Sequence, residues 1–186
     1  MKTIGDRISY EKHDYFFTII ISSKIEKWKE NAMFLWLLAW SFCGATFVYF
    51  LFDGSIIGDQ KLALFIMLVF WSYLEVKTLR AYLWRIKGIE FIKIDEDRLT
   101  HKKSIFGYGK ANFVFSSQIS EIKPVAFKKK SFAKVFNESF WLIGLGVVEI
   151  KSSNNNLLIG LQLEENDAKK LSVEIKKMLK VLLTNK

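Results

Sequence analysis

The chain has 186 residues, enough for one domain with its own core, and it combines a hydrophobic fraction of 51% with a net charge of +9. This combination excludes an intrinsically disordered chain and fits poorly with an ordinary soluble globule. One Pro and one Cys exclude a disulfide scaffold, a Cys-rich zinc module and a proline-rich linker protein.

The first part of the chain, residues 1–32, is predicted to be a cytoplasmic N-terminal segment. Residues 15–21 are rich in aromatic and β-branched side chains, which predicts a strand. We expect this strand to pair with an exposed edge of the C-terminal domain. Ser23 and Glu26 have the spacing of a capping box, which predicts a helix start within residues 23–32.

Residues 33–84 are predicted to form a hairpin of two transmembrane helices. The stretch 33–52 has no charged residue and would make a helix about 30 Å long, the thickness of a bilayer's hydrocarbon layer. A second apolar run is shorter, but turn residues at 53–60 must return the chain to its starting side. We therefore predict a second span over about 59–84. Cys43 is expected to pack against the other helix as a small apolar residue.

The basic residues that flank this hairpin lie before its first helix and after its second. They are Lys2, Arg7, Lys12, Lys24, Lys27, Lys29, Arg85, Lys87 and Lys93. The positive-inside rule then predicts that both termini are cytoplasmic. We expect no cleavable signal peptide, with the first span acting as the targeting signal.

Nearly all of the excess positive charge lies in residues 85–186, which carry 19 basic and 11 acidic side chains, a net charge of +8. The predicted topology holds this charge against the anionic inner leaflet. Nucleic acid is the competing explanation for a basic domain. No helix-turn-helix, RNP-like or zinc motif accompanies the charge, so we expect no nucleic-acid partner.

Short β-rich runs separated by turn residues follow Trp84. The predicted strands are 86–94, 98–106, 110–116, 119–127, 147–151 and 157–163, with hairpin turns at 95–97 and 152–156. Pro124 suits an edge strand or a bulge. From Asn166, a predicted N-cap, apolar residues recur at helical spacing to Leu182. The Lys-rich face of this helix is either solvated or in contact with the membrane. Residues 85–186 are therefore predicted to form an α+β domain with one C-terminal helix.

Three stretches carry a family resemblance: EFIKIDEDRLTHKKSIFGYGKANFVFSSQISEI, SFWLIGLGVVEI and LLIGLQLEENDAKKLSVEIKKML. With the helical hairpin before them, they make roughly residues 33–184 similar to the bacterial pleckstrin-homology-like (PH-like) membrane proteins. The resemblance implies a PH-like antiparallel barrel or sandwich of about seven strands capped by a helix. It also implies a bacterial inner-membrane location and a non-enzymatic role in assembly, scaffolding or envelope response.

Phosphoinositide binding is not an expected property of this chain. Eukaryotic PH domains hold lipid phosphates with basic residues in and beside their first hairpin loop, whereas the loop here is Asp95, Glu96 and Asp97, which repels phosphate. His101, Lys102 and Lys103 follow on the next strand and leave a weaker alternative.

Glu75 is the most unusual residue of the predicted spans, because a charge in the hydrocarbon layer is costly and often functional. Three readings stay open: an interfacial position, contact with a partner helix, or proton or ion chemistry. Lys77 and Arg80 lie two and five residues further on and are named with it as candidate intramembrane contacts. Neither has the i, i+4 spacing that would place it beside Glu75.

The densest basic cluster is a candidate contact for lipid or for a protein partner. Its residues are Lys128, Lys129, Lys130, Lys134, Phe132 and Phe136. Interleaved Lys and Phe suit a loop that dips into the membrane interface, although a run of charges also suits a solvated loop.

Residue types for catalysis are scarce. Two His and one Cys do not make a zinc site or a Cys-His nucleophile, and the glycine spacings match neither a P-loop nor a dinucleotide fingerprint. We expect no enzymatic activity, catalytic residue, metal or cofactor. The favoured function is an inner-membrane scaffold or accessory subunit that binds other membrane protein chains or itself. The alternative is a sensor of anionic lipid surfaces that uses the basic aromatic loop.

Overall fold

The computed structural model describes residues 1–125, 139–153 and 155–184. These residues form nine strands and three α-helices. In chain order they are β1 Lys2–Ile4, β2 Ile8–Lys12, β3 Phe16–Ser22, α1 Lys27–Phe52, α2 Asp59–Lys87, β4 Gly88–Asp95, β5 Arg98–Ile105, β6 Ala111–Phe115, a 3-10 turn Ser116–Gln118, β7 Ile119–Pro124, β8 Gly146–Ser152, β9 Leu157–Leu161 and α3 Glu165–Thr184.

The helices α1 and α2, of 26 and 29 residues, pack against each other as a hairpin. Both are long and apolar enough to cross a membrane. In the most apolar stretch of each helix, 11% of the residues of α1 and 0% of those of α2 are buried. A core helix of a soluble protein would be mostly covered, so exposure, length and composition together are compatible with membrane insertion. The predicted spans lie inside these helices, although α1 begins earlier, at Lys27, and α2 ends later, at Lys87.

The strands form two antiparallel sheets, one of six strands in the order β1-β2-β3-β4-β5-β6 and one of three in the order β7-β8-β9. Residues of β3 and β4 alternate between buried and less buried positions, as expected when one face of a sheet covers a core. That core joins both sheets and α3. Its fully buried members include Ile8, Ile19, Ile21, Ile92, Ile94, Leu99, Ile150, Ile159, Leu171 and Ile175.

The helical hairpin is inserted between β3 and β4, two strands that lie side by side in the six-stranded sheet. Their register runs from Phe16 opposite Asp95 to Ser22 opposite Ile89. The predicted strand at 15–21 and its pairing with the C-terminal part of the chain are thus confirmed. Two further strands, β1 and β2, were not predicted from the sequence, and they extend the same sheet beyond β3.

The predicted hairpin turns at 95–97 and 152–156 are confirmed, since β4 pairs with β5 and β8 with β9. The interpretation of Pro124 is also confirmed: it ends β7, an edge strand whose pairing with β8 is irregular between Ile119 and Glu121.

Two predicted helix caps are wrong. Glu26 precedes α1 but makes no side-chain capping bond. The Ser23 hydroxyl does not cap α1. It donates instead to the backbone oxygens of Trp84 and, at 2.6 Å, of Gly88. Asn166 is not an N-cap, because α3 already begins at Glu165.

The prediction for Cys43 is also wrong, because its side chain is exposed. The neighbouring Gly44 occupies the close-packed position instead. It is buried, and a Cβ atom added there would collide with the Trp71 ring of α2.

Candidate functional site

Glu75 faces α1 within the helical hairpin. Its Oε1 accepts a hydrogen bond from the Ser41 hydroxyl at 2.7 Å. Its other carboxylate oxygen is buried and has no hydrogen-bond partner among the described residues. Lys77 and Arg80 are exposed, and the Lys77 ammonium lies 5.4 Å from the Tyr73 ring. The structure therefore brings Glu75 together with Ser41 rather than with either basic residue.

A series of aromatic contacts connects this hairpin to the β domain. Trp40 lies between Trp36 and Trp71, with ring centroids 5.7 and 6.5 Å away. Trp36 also contacts Trp141 at 5.7 Å, and Trp141 contacts Phe140 at 4.9 Å. The segment before β8 is thus packed against α1, an arrangement that the sequence analysis did not foresee. Trp36 and Trp40 lie one helical turn apart and therefore on the same face of α1, which was the available sequence signal for an aromatic contact surface.

The predicted basic aromatic loop lies outside the described residues. This applies to each of its named members: Lys128, Lys129, Lys130, Phe132, Lys134 and Phe136. The lipid or partner contact assigned to them stays a prediction.

Arg85, in the last turn of α2, joins the hairpin to the β domain. It is buried, and its guanidinium donates to the backbone oxygens of Ser139, Phe140 and Leu142 and to the side-chain oxygen of Gln162. The shortest of the bonds to backbone, to Leu142, is 3.0 Å. A planar guanidinium can serve several acceptors at once, which a lysine ammonium cannot do with the same geometry.

Arg7, in the turn between β1 and β2, makes a second connection at the same end of the domain. Its guanidinium donates to the backbone oxygens of Ser22 and Gln162, both at 2.7 Å, and of Leu161 at 3.2 Å. Burial lowers the pKa of Arg7, because desolvation disfavours its charge. Three carboxylates oppose this shift: Glu90, Asp167 and Glu164. Arg7 therefore joins the six-stranded sheet to the end of β9.

Glu90, on β4, also connects the two sheets at the end of β9. It is 1% exposed, and its two oxygens accept the backbone N–H groups of Gly160 at 2.7 Å and Leu161 at 2.8 Å. His101 Nε2 lies 3.6 Å from the same carboxylate. His101 is therefore buried beside an acid and does not face solvent as a phosphate ligand would. Together Arg7, Arg85 and Glu90 form a polar junction between the hairpin and both sheets.

The acidic turn of β4 and β5 lies at the opposite end of the β domain, which we call the far end. Asp95 Oδ1 accepts the backbone N–H groups of Asp97 and Arg98, and its other oxygen pairs with Lys93 at 3.5 Å. Asp95 thus stabilises its own turn. Among the described residues, no group of three or more His, Cys, Asp or Glu side chains could hold a metal ion.

A groove of about 540 Å³ lies beside β6, which is an edge strand of the six-stranded sheet. The turn that joins β8 to β9 forms its other side. Its walls combine apolar side chains with amides and a hydroxyl, and Lys110 is the charged residue among them. The lining includes Lys110, Asn112, Val114, Phe115, Ser152 and Leu157. No local sequence pattern indicates this groove, because its walls come from two separate sheets.

No family model, curated protein or solved structure matches the chain.

Proposed function

We propose that the protein is a non-enzymatic scaffold or accessory subunit of a bacterial inner membrane, whose cytoplasmic β domain assembles other membrane proteins or copies of itself. One observation carries this proposal: the hairpin enters and leaves the β domain through adjacent paired strands, with Ser22 opposite Ile89. Arg85, at the end of α2, also donates a hydrogen bond to the segment before β8. A domain attached in this way has a fixed orientation to the bilayer, as a scaffold requires.

We further propose that this β domain is PH-like. When β1 and β2 are set aside, seven strands remain, four in one sheet and three in the other, together with a C-terminal helix. This count agrees with the architecture that the family resemblance implies. The hairpin, however, lies between the first and second of these strands rather than ahead of the domain.

The proposed topology places both termini in the cytoplasm. Alkaline phosphatase inserted at Gly54 of the full chain, in the turn between α1 and α2, is expected to be active, and the same enzyme fused after Lys186 inactive. Activity at Lys186 alone would contradict the proposed orientation. The full chain is required, because β1, β2 and β3 belong to the same sheet as β4.

The assembly function is tested by affinity purification of the full chain in mild detergent after cross-linking in intact cells. We expect cross-linked species larger than the monomer, and we expect the Arg85→Ala variant to lose them while Lys87→Ala keeps them. A chain that stays monomeric under all cross-linking conditions would contradict the proposal.

The alternative function, contact with anionic lipid, is supported by the turn between β5 and β6. Gly88 is paired with Ile105, so this turn lies at the same end of the domain as the hairpin. Tyr108 is 85% exposed and Phe106 57% exposed in it. Lys103 and Lys110 flank them, which gives the aromatic and basic composition of an interfacial loop.

Lipid contact is tested with a fluorescent label attached through Tyr108→Cys in a Cys43→Ser background, with the full chain in nanodiscs. Contact predicts a blue shift of the label in discs that contain phosphatidylglycerol, and a smaller shift in phosphatidylcholine discs. The same spectrum in both discs and in detergent would contradict it.

A further inference from the structure

Among the described residues the two sheets have four edge strands, and three of these are already protected against pairing with another chain. The edge strand β7 carries Pro124, an irregular register and Glu121 held between Lys123 and Lys151 at 3.2 and 3.4 Å. Proline, irregular pairing and charges are the features by which natural edge strands avoid pairing. β7 therefore does not favour strand addition.

The edges of β9 and β1 are protected in other ways. The amides of Gly160 and Leu161 on β9 are already bound by Glu90, and the oxygen of Leu161 by Arg7. β1 has three residues and is packed against α3. Neither strand offers another chain a long row of unpaired backbone groups.

The edge formed by β6, Ala111–Phe115, lacks these protections. The six-stranded sheet ends there among the described residues, and β6 pairs on its other side with β5 alone. Two large aromatic residues on its outer face, Phe113 and Phe115, are 52% and 46% exposed and contact each other at 5.5 Å. An exposed apolar edge of this kind is normally covered by a partner.

The groove beside β6 gives this edge a second wall. Val114 is buried on the inner face of β6, and Leu157 of β9 lies across the groove from it. The Ser152 hydroxyl, which also lines the groove, is buried and has no hydrogen-bond partner among the described residues. A strand added to β6 would place one set of alternating side chains beside Val114 and Leu157 and the other beside Phe113 and Phe115, which also border the groove.

We propose that the edge of β6 and its groove bind an extended segment of another protein, which adds to the six-stranded sheet as a further antiparallel strand. This inference rests on the proposed function and names the surface through which assembly occurs. The bound segment alternates apolar with polar residues, so that its apolar side chains lie on one face, against Phe113 and Phe115, and its polar side chains lie on the other, beside Lys110 and the Ser152 hydroxyl.

The charges around β6 determine which end of that segment is acidic. Lys110 lies at the end of β6 that is nearer the hairpin, and Lys103 is exposed nearby on β5. At the far end, Arg98 lies opposite Phe115, but the neighbouring carboxylates of Asp95, Glu96 and Asp97 outnumber its guanidinium. Electrostatic complementarity therefore favours a segment with its acidic residues beside Lys110.

A second copy of this chain does not satisfy these requirements. Antiparallel pairing of two β6 strands would place the hairpin end of one copy beside the far end of the other. Two copies in one membrane have their hairpins on the same side, so the proposed topology excludes this arrangement. The occupant is accordingly a different protein.

The experiment places a photo-cross-linker in the full chain in living cells by Phe113→p-benzoylphenylalanine, which replaces one aromatic residue by another. Val173 on α3, 50% exposed, receives the same cross-linker as a second position remote from β6. Cross-linked peptides are identified by mass spectrometry. Each position is also combined with Lys110→Glu and, as a charge-preserving control, with Lys110→Arg.

We expect the Phe113 position to capture an alternating apolar and acidic segment of another protein, with yield reduced about tenfold by Lys110→Glu and unchanged by Lys110→Arg. Capture of lipid or of this chain itself, or a yield that Lys110→Glu does not change, overturns the inference. Capture from Val173 but not from Phe113 overturns the β6 site and leaves the proposed assembly function in place. No capture from either position overturns the β6 site, while the proposed assembly function is tested separately by the cross-linking of the full chain.

Discussion

Ser22 and Ile89 lie directly opposite each other in the sheet although both long helices separate them in the chain. The last strand before the hairpin and the first strand after it are therefore one β-ladder, interrupted at its end by two apolar helices. The Ser23 hydroxyl, bound to Gly88 at 2.6 Å, extends this connection to the end of α2. The β domain and the hairpin consequently share a joint of several hydrogen bonds and cannot be treated as two bodies on a flexible linker.

Arg85→Ala is expected to lower the free energy of unfolding of the β domain by about 3 kcal/mol, since it removes a buried guanidinium that serves several part-buried acceptors. Arg85→Lys should recover only part of this loss, because an ammonium cannot reproduce the guanidinium fork. Lys87→Ala, two residues away and exposed, is the matched control. Thermal unfolding in detergent measures all three. Equal stability of Arg85→Ala and Lys87→Ala would contradict the role assigned to Arg85.

Glu90→Gln tests the bond between the two sheets. The carboxylate accepts two amides, from Gly160 and Leu161, whereas the glutamine amide would point a donor at one of them. We expect a loss of about 2 kcal/mol and faster hydrogen exchange at these two amides in particular. Glu96→Gln, at the exposed tip of the β4-β5 turn, should change neither. Unchanged exchange at Gly160 and Leu161 would show that Glu90 does not hold β9.

The helices and most strands could be predicted from the sequence because their signals are local. Residues 33–52 lie within α1 because a run of apolar residues specifies a helix without any knowledge of its neighbours. β1 and β2 were missed because they are short, mixed in composition and stabilised by pairing with β3. Propensity alone cannot detect a strand whose stability comes from its neighbour.

The polar junction could not be predicted for a different reason. Arg7 contacts Gln162, and Arg85 contacts the same residue from α2. Such a junction depends on the ends of three distant segments meeting in space, which no spacing along the chain encodes. The capping-box prediction for Ser23 failed for the same reason, because a tertiary partner, Gly88, replaced the local one.

The hydrogen bond from Ser41 to Glu75 is expected to stabilise the pairing of α1 and α2 modestly, by about 0.6 kcal/mol, the average for polar contacts between membrane helices. Glu75→Gln should retain it, because the amide oxygen still accepts from Ser41, while Glu75→Leu should lose it. A double-mutant cycle with Ser41→Ala, read from unfolding in detergent, isolates the coupling. Strictly additive effects of Ser41→Ala and Glu75→Leu would show that the two side chains do not interact in the folded hairpin.

Glu121, on the exposed edge of β7, gives a prediction about pH. The hydrogen bond from Lys123 is the largest cause of a lowered pKa of this carboxyl, and Lys151 contributes less. A lowered pKa means that the fold favours the carboxylate, so its stabilising contribution is present at neutral pH. That contribution decreases as the pH falls below the ordinary glutamate value of about 4.3 and through the lower pKa of the folded state.

Carboxyl NMR of the full chain in micelles, with the signal assigned through Glu121→Gln, measures this pKa directly. Lys123→Met should raise it toward the ordinary value, and Lys151→Met should raise it less, because Lys123 makes the stronger contribution. An equal rise in both variants would mean that Glu121 is shared evenly between its two neighbours. The order of the two effects therefore tests whether Lys123, which lies on the same strand, or Lys151 on β8 is the main partner of Glu121 at this edge.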